Sequence, residues 1–265
     1  MNEEPLVWHY GLVAQLWAEF SGDTPELPYY QKQIDRFGQP VLDLACGTGR
    51  LLLPILRSGI DVDGCDISTD MLYHCREQAV RIGFHPQLFE MPMHELDLPR
   101  SYKTIYMCGS FGLAGSRQLD QRTLERCFQY LEPGGALLFN LDVEFANPKV
   151  WQMWLKDNRE TLPQPWPEEG SRQSAAAGHD LIYRSRLLAI DPLEQTFLRE
   201  IRIEKSRDGT LISQEERTLH GNMYFKNEVV CMLQAAGFGA IEIGGDYTDQ
   251  PATSYNSELN FIARK

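Results

Sequence analysis

The sequence predicts an α/β fold with alternating strands and helices, and three observations support this prediction. Residues 41–45 form a short apolar run that ends in a glycine-bearing turn, and residues 51–57 then have the pattern of a helix. A second short strand, residues 60–66, ends in an acidic residue and precedes a helix. Between about residues 180 and 219, three alternating segments separated by turns indicate an antiparallel sheet inserted into a parallel fold.

The turn at residues 46–49 is the first indication of a ligand site. Gly47 and Gly49 have no Cβ, so a ligand can approach the backbone closely. The dinucleotide fingerprint G-x-G-x-x-G is not present. Asp43 lies four residues before the first glycine, where a carboxylate would repel a pyrophosphate. The turn therefore favours a ligand that carries an ammonium group and no phosphate.

A second acidic residue, Asp66, lies at the end of the second predicted strand. A carboxylate at this position can accept hydrogen bonds from both hydroxyl groups of a ribose. Ser68 is predicted to cap the helix that follows, which runs to about residue 82. A glycine turn alone is often only a tight turn, but two acidic residues at two strand ends make the pattern much more specific.

The segment from Asp43 to Gly49 resembles motif I of the class I S-adenosylmethionine-dependent methyltransferases, and Asp66 matches the ribose-binding acid of that family. The resemblance covers about residues 40–142 and 222–265. It implies a Rossmann-like α/β fold, with a seven-stranded mixed sheet of order 3-2-1-4-5-7-6 and an inserted antiparallel β lid. Residues 1–146 and 221–265 would form the core with an N-terminal helical cap, and residues 147–220 the lid.

The resemblance also implies S-adenosyl-L-methionine as cofactor, with S-adenosyl-L-homocysteine as product. Asp43 would fix the methionine end, and Ile67 and Met71 would flank the adenine. Relatives usually have an acidic residue where this chain has Pro92, and the residue placed nearest the transferable methyl is Phe111. The full predicted cofactor site is Tyr10, Trp17, Asp43, Ala45, Cys46, Gly47, Gly49, Asp66, Ile67, Met71, Pro92, Met93, Cys108, Gly109 and Phe111.

The helix predicted for residues 6–20 has two interpretations. Tyr10, Ala14 and Trp17 fall on one face, and an aromatic stripe of this kind commonly packs on a core. In similar methyltransferases, an N-terminal helix of this form folds over the cofactor. Both interpretations stay open on sequence grounds.

Composition limits the compartment and the partners. The chain has 265 residues, is 43% hydrophobic and carries a net charge of −12, which argues against a nucleic-acid acceptor and an anionic membrane surface. The first residues lack the basic and apolar regions of a signal peptide, and no apolar run approaches membrane-spanning length. Six cysteines without a C-x-x-C pair and scattered histidines predict a cytoplasmic protein with reduced thiols and no metal site.

The resemblance implies transfer of the sulfonium methyl to a small-molecule nucleophile by in-line displacement. A nucleic-acid or protein methyltransferase is an alternative that charge and lid disfavour, and a cofactor-binding protein without methyl transfer is a second. We expect the acceptor pocket between Phe111, the N-terminal helix and residues 151–166. Alternating charges on the lid favour a solvated face or a homodimer contact. No catalytic residue is assigned, although His9, His179, His220 and Tyr10 are candidate bases.

Overall fold

The computed structural model describes residues 7–20 and 22–265. Within them the strands are β1 (Val41–Leu44), β2 (Val62–Asp66), β3 (Leu88–Glu90), β4 (Tyr102–Met107), β5 (Leu131–Asp142), β6 (Ser171–Ser174), β7 (Asp180–Asp191), β8 (Thr196–Arg207), β9 (Thr210–Asn222), β10 (Ala240–Gly245) and β11 (Glu258–Arg264). The α-helices are α1 (Gly11–Phe20), α2 (Leu27–Phe37), α3 (Leu52–Arg57), α4 (Thr69–Arg81), α5 (Arg117–Tyr130), α6 (Pro148–Gln152), α7 (Lys156–Arg159) and α8 (Lys226–Ala236).

Seven strands form the larger sheet, in the order β3-β2-β1-β4-β5-β11-β10. The first five are parallel, and β11 runs antiparallel to both of its neighbours, β5 and β10. This is the predicted order 3-2-1-4-5-7-6, and the predicted fold class is confirmed. The strand order reverses between β1 and β4, and ligands of such sheets bind outside the carboxyl ends of the strands at this point.

The central strand β1 is buried on both faces of the sheet. Leu42 and Leu44 are fully buried in one apolar cluster, while Val41 belongs to a second cluster on the opposite face. Helices cover both faces, which explains why the strand reads as a continuous apolar run. The helix after the turn begins at Leu52, so Pro54 lies in its first turn, where a missing N–H costs no hydrogen bond.

The smaller sheet, which we call the lid, has four strands in the order β6-β7-β8-β9. The sequence predicted β7, β8 and β9 but not β6, which pairs with the start of β7. All four residues of β6 are exposed, so they lack the alternating pattern by which strands are recognised. The Ser174 hydroxyl donates a hydrogen bond to the Asp180 carboxylate across this pair (2.6 Å).

Helix α1 lies between the lid and the core. Its apolar residues pack against buried residues of the lid, among them Leu181 and Ile203. Its first free N–H groups point to carboxylates from two different layers: Gly11 N–H donates to Asp70 of α4 (2.7 Å), and Leu12 N–H donates to Glu215 of β9 (3.2 Å). Leu6, the first residue of the predicted helix, is outside the described residues.

Candidate functional site

A cavity of about 390 Å³ opens at the carboxyl ends of β1, β2 and β4, at the point where the strand order reverses. Four stretches of the core supply most of its wall, namely residues 43–51, 65–67, 91–94 and 108–114. Val7, His9 and Trp17, from the N-terminal segment and α1, line it as well. Distant parts of the sequence therefore meet at one site.

The glycine turn has the backbone conformation that a close ligand approach requires. Ala45 and Gly47 adopt positive φ angles of 61° and 54°. Gly47 lines the cavity, and a Cβ built there would meet no atom within 4 Å. The turn is held by Cys46 N–H, which donates to Cys65 O (3.0 Å), and by Gly49 N–H, which donates to Cys46 O (2.9 Å).

Asp66 ties the turn to the end of β2. One carboxylate oxygen accepts from Gly47 N–H (2.8 Å), and the other accepts from Ser68 N–H (2.8 Å). The side chain is buried, and this burial raises the pKa of the carboxyl, although the backbone donors oppose the shift. Each oxygen keeps a lone pair with which it can accept a further hydrogen bond from a ligand.

Asp43, at the end of β1, is the second carboxylate in the wall. It is 4% exposed, and burial raises the pKa of this carboxyl to about 7. A cation that enters the cavity beside Asp43 would restore the charged form, because an opposite charge offsets the desolvation penalty. The cavity thus has two acidic groups at its base, on adjacent parallel strands.

Comparisons with known proteins agree with this geometry. Residues 41–135 match the model of a methyltransferase domain family. A protein of Geobacillus sp. that is named as a methyltransferase is 23% identical over 244 residues, which are 89% of this chain and 90% of that protein. Residues 41–135 therefore form a methyltransferase domain.

Two solved structures show that the fold extends over the whole chain. An S-adenosylmethionine-dependent methyltransferase from Clostridium acetobutylicum matches 96% of this chain and 97% of its own, with a TM-score of 0.72 and 14% identity. A sugar N-methyltransferase from Streptoalloteichus sp. matches 100% of this chain and 96% of its own, with a TM-score of 0.70 and 17% identity. The lid is therefore part of a fold that other proteins share.

The fold brings most of the predicted cofactor residues to the cavity wall. These are Trp17, Asp43, Ala45, Cys46, Gly47, Asp66, Ile67, Met71, Pro92, Met93, Cys108 and Gly109. Tyr10, Gly49 and Phe111 are not in the wall. Gly49 has a packing role instead, because a Cβ there would be 2.7 Å from the Cys75 sulfur.

The prediction placed Phe111 nearest the transferable methyl, but Phe111 does not line the cavity. Its ring is partly buried and packs against the core, with its centroid 4.7 Å from that of Phe139 and 5.1 Å from that of Tyr224. Tyr10 does not line the cavity either, but its hydroxyl donates to the backbone oxygen of the wall residue Ile67 (3.4 Å). Trp17 is the aromatic residue of α1 that lines the cavity.

Arg50 is a wall residue that the sequence did not single out. Its guanidinium forms an ion pair with the buried Glu26 and donates to Asp23 O (3.2 Å) and to the Cys108 sulfur (3.5 Å). Arg50 directly follows the glycine turn, and this position in the sequence could have identified it as a site residue. Arg50 brings one positive charge to a wall that also holds Asp43 and Asp66.

Of the histidines considered as bases, His9 alone lines the cavity. Its ring centroid is 5.7 Å from the Trp17 ring, and burial lowers the pKa of the imidazole to about 4. His179 instead bonds Glu19 of α1 (2.9 Å), and the half-buried His220 belongs to β9 and does not contribute to the wall. The imidazole of His9 that faces the site is therefore neutral at physiological pH.

The tryptophans of residues 151–166 do not form the acceptor pocket expected from the sequence. Trp166 lies on the lid, where the guanidinium groups of Arg186 and Arg202 are 4.4 and 4.2 Å from its ring centroid. Trp154 packs against Trp151 and Phe225. None of these rings lines the cavity at the glycine turn, so they stabilise the lid and its junction with the core.

In residues 7–20 and 22–265, no helix is both long and apolar enough to cross a membrane. The same residues contain no group of three His, Cys, Asp or Glu side chains arranged to hold a metal ion.

Proposed function

We propose that the chain transfers the methyl group of S-adenosyl-L-methionine to a small-molecule acceptor. One observation carries this proposal: Asp43 and Asp66 lie at the ends of adjacent parallel strands, in one cavity, with the glycine turn between them. This arrangement suits a ligand with a ribose at one side and an ammonium group at the other, and it has no cluster of cations for phosphates.

The wall residues fit the parts of such a cofactor. Asp66 has free lone pairs for the two ribose hydroxyls, and Asp43 offers a carboxylate for the ammonium group. Ile67, Met71 and Met93 provide apolar surface for the adenine ring. Pro92 stands where relatives have an acid, so recognition of the adenine amino group would use the backbone or solvent.

The cofactor, when bound, supplies an already activated methyl group. The residues of the chain then need only to bind the cofactor and the acceptor, to orient them and to exclude water. Asp43 would hold one end and Asp66 the middle of the ligand, while Trp17 and His9 would close the side towards α1. With its pKa lowered by burial, His9 would be neutral and able to accept a proton from an acceptor that must lose one.

A small acceptor is supported by the lid and by charge. The lid packs over α1, which itself lines the cavity, so α1 and the lid cover one side of the site. The net charge of −12 disfavours nucleic acid. One protein of similar fold is a sugar N-methyltransferase. A homodimer through the lid stays a prediction.

Calorimetric titration with S-adenosyl-L-homocysteine tests the cofactor assignment. We expect binding to the wild type and an affinity at least about tenfold weaker in Asp66→Asn, because two hydrogen bonds to a charged acceptor are weakened. Asp63→Asn is the matched control: it is also a buried aspartate of β2, but it accepts from Arg100 (2.7 Å) and Tyr102 (2.8 Å) outside the cavity.

Equal affinities of Asp66→Asn and the wild type would refute the ribose assignment. A screen of amines, hydroxylated small molecules and thiols with methyl-labelled cofactor then tests the transfer. Binding without transfer to any acceptor class would favour the alternative of a binding protein.

A further inference from the structure

Asp120 is the most completely buried carboxylate outside the cavity wall, with no exposed surface at all. It lies in the first turn of α5, and burial raises the pKa of its carboxyl. Three donors satisfy it. Ala114 N–H donates to one oxygen (3.1 Å), and both the Asn222 amide (2.7 Å) and the Tyr224 hydroxyl (2.7 Å) donate to the other.

These donors come from two separate segments. Ala114 belongs to residues 109–115, which we call the cavity loop because several of its residues line the cavity. Asn222 and Tyr224 belong to residues 219–224, the return segment, by which the chain leaves the lid. Asp120 therefore joins the wall of the cavity to the end of the lid.

A second set of contacts fixes the same two segments at close range. Asn222 N–H donates to Gly112 O (2.8 Å). Gly112 has a φ of 94°, and a Cβ there would be 2.6 Å from Asn222 O, so no other residue fits without displacing the return segment. The Tyr224 ring also packs on Phe111 of the cavity loop. The two segments form one packed unit.

The cavity loop carries an unsatisfied group. Ser110 is 7% exposed and lines the cavity, and its hydroxyl has no hydrogen-bond partner in the part of the chain that the structure describes. A buried hydroxyl without a partner is costly, so it is commonly satisfied by a ligand or by water. The position of this hydroxyl depends on the loop that Asp120 holds.

We propose that Asp120 is a positioning residue that locks the cavity loop to the return segment, so that Ser110 and the lid take up their positions together. A ligand that bonds the Ser110 hydroxyl then stabilises the end of the lid as well as the loop. The proposal rests on the proposed function only for the identity of the cavity ligand; the lock itself belongs to the unliganded protein.

Hydrogen exchange followed by mass spectrometry tests the lock. Tyr224→Phe removes one donor to Asp120 and keeps the ring that packs on Phe111. Tyr102→Phe is the matched control, because it also removes a hydroxyl that donates to a buried aspartate, Asp63 (2.8 Å), and neither residue lines the cavity. We expect similar falls in Tm for both variants. Asp120→Asn is a third variant. It replaces one of the two acceptor oxygens of Asp120 by an NH₂ group, which cannot accept a hydrogen bond from the donors of the cavity loop and the return segment.

In the unliganded protein, Tyr224→Phe should exchange about tenfold faster than the wild type in residues 110–115 and 219–224, since one strong hydrogen bond corresponds to about a factor of ten. Tyr102→Phe should exchange at the wild-type rate in both segments. Unchanged exchange in Tyr224→Phe, or the same increase in Tyr102→Phe, would overturn the proposal.

Addition of S-adenosyl-L-homocysteine tests the coupling, which a merely structural residue would not affect. In the wild type and in Tyr102→Phe, the ligand should slow exchange in both segments. In Tyr224→Phe and Asp120→Asn it should slow exchange in the cavity loop only. Equal protection of residues 219–224 in all variants would refute the coupling. If the wild type binds no S-adenosyl-L-homocysteine, the proposed function fails, and the unliganded exchange rates still judge the lock.

Discussion

Replacement of Asp43 by asparagine should make the stability of the unliganded protein less sensitive to a rise in pH. Burial raises the pKa of this carboxyl to about 7 in the folded chain, whereas an aspartate in an unfolded chain titrates near pH 3.9. Between these values the folded state binds more protons than the unfolded state. The stability contributed by this group therefore falls as pH rises, by up to about 1.4 kcal/mol per pH unit.

From pH 5 to pH 8 these two pKa values give a loss of about 2.5 kcal/mol in the free energy of unfolding. Asparagine keeps the size and one acceptor oxygen of the side chain but does not titrate. Urea denaturation of the wild type and of Asp43→Asn at both pH values measures the difference. The other titrating groups are common to both proteins, so their contributions cancel.

We expect the wild type to lose about 2.5 kcal/mol more than Asp43→Asn between pH 5 and pH 8. Parallel pH profiles would show that Asp43 is ionised in the folded protein at both pH values, and that burial does not control its charge. In that case, recognition of a ligand cation would involve no proton release from this residue.

Three further results are expected. The affinity for S-adenosyl-L-homocysteine should rise from pH 6 to pH 8, because ionised Asp43 attracts the ligand ammonium; calorimetry showing weaker binding at pH 8 would contradict this. In urea denaturation, Gly49→Ala should lower the free energy of unfolding by about 1–3 kcal/mol more than Gly59→Ala does. The two glycines have nearly the same φ, +86° and +85°, but a Cβ at Gly49 would be 2.7 Å from the Cys75 sulfur, whereas a Cβ at Gly59 would meet no atom within 4 Å. Trp166→Leu should lower the free energy of unfolding by about 1–2 kcal/mol, because two cation–π contacts are lost, and should leave the affinity for S-adenosyl-L-homocysteine unchanged. Weaker ligand binding by this variant would show that Trp166 does contribute to the ligand site.

The strands of the core and the glycine turn could be predicted from local patterns, because each of these features depends on residues that are close together in the sequence. Asp43 and Asp66 lie at the carboxyl ends of two buried strands, and Gly47 follows the first of them within a few residues. Neighbouring parallel strands necessarily end at one edge of the sheet. The order of the seven strands was predicted from the resemblance and is confirmed. For these residues, position along the chain and position in space are closely linked.

The rest depended on contacts between distant segments. Phe111 turns into the core because Tyr224, more than a hundred residues later, packs beside it. Ser110 and Ala114 reach the cavity through the same loop conformation, which no local pattern marks. Trp166 looked like a pocket residue, but two arginines from neighbouring lid strands hold its ring. A single sequence does not show which residues of such distant segments will be in contact.

Helix α1 has a consequence for the exchange of lids between related proteins. Its apolar residues Leu12 and Leu16 pack on the lid, its first N–H groups are shared between Asp70 and Glu215, and Trp17 lines the cavity. A chimaera that received a foreign lid alone would place an unmatched surface on α1 and leave its first turn without one acceptor. The lid and the helix beneath it are therefore one transplantable module, and a change of acceptor specificity should require both parts to be moved together.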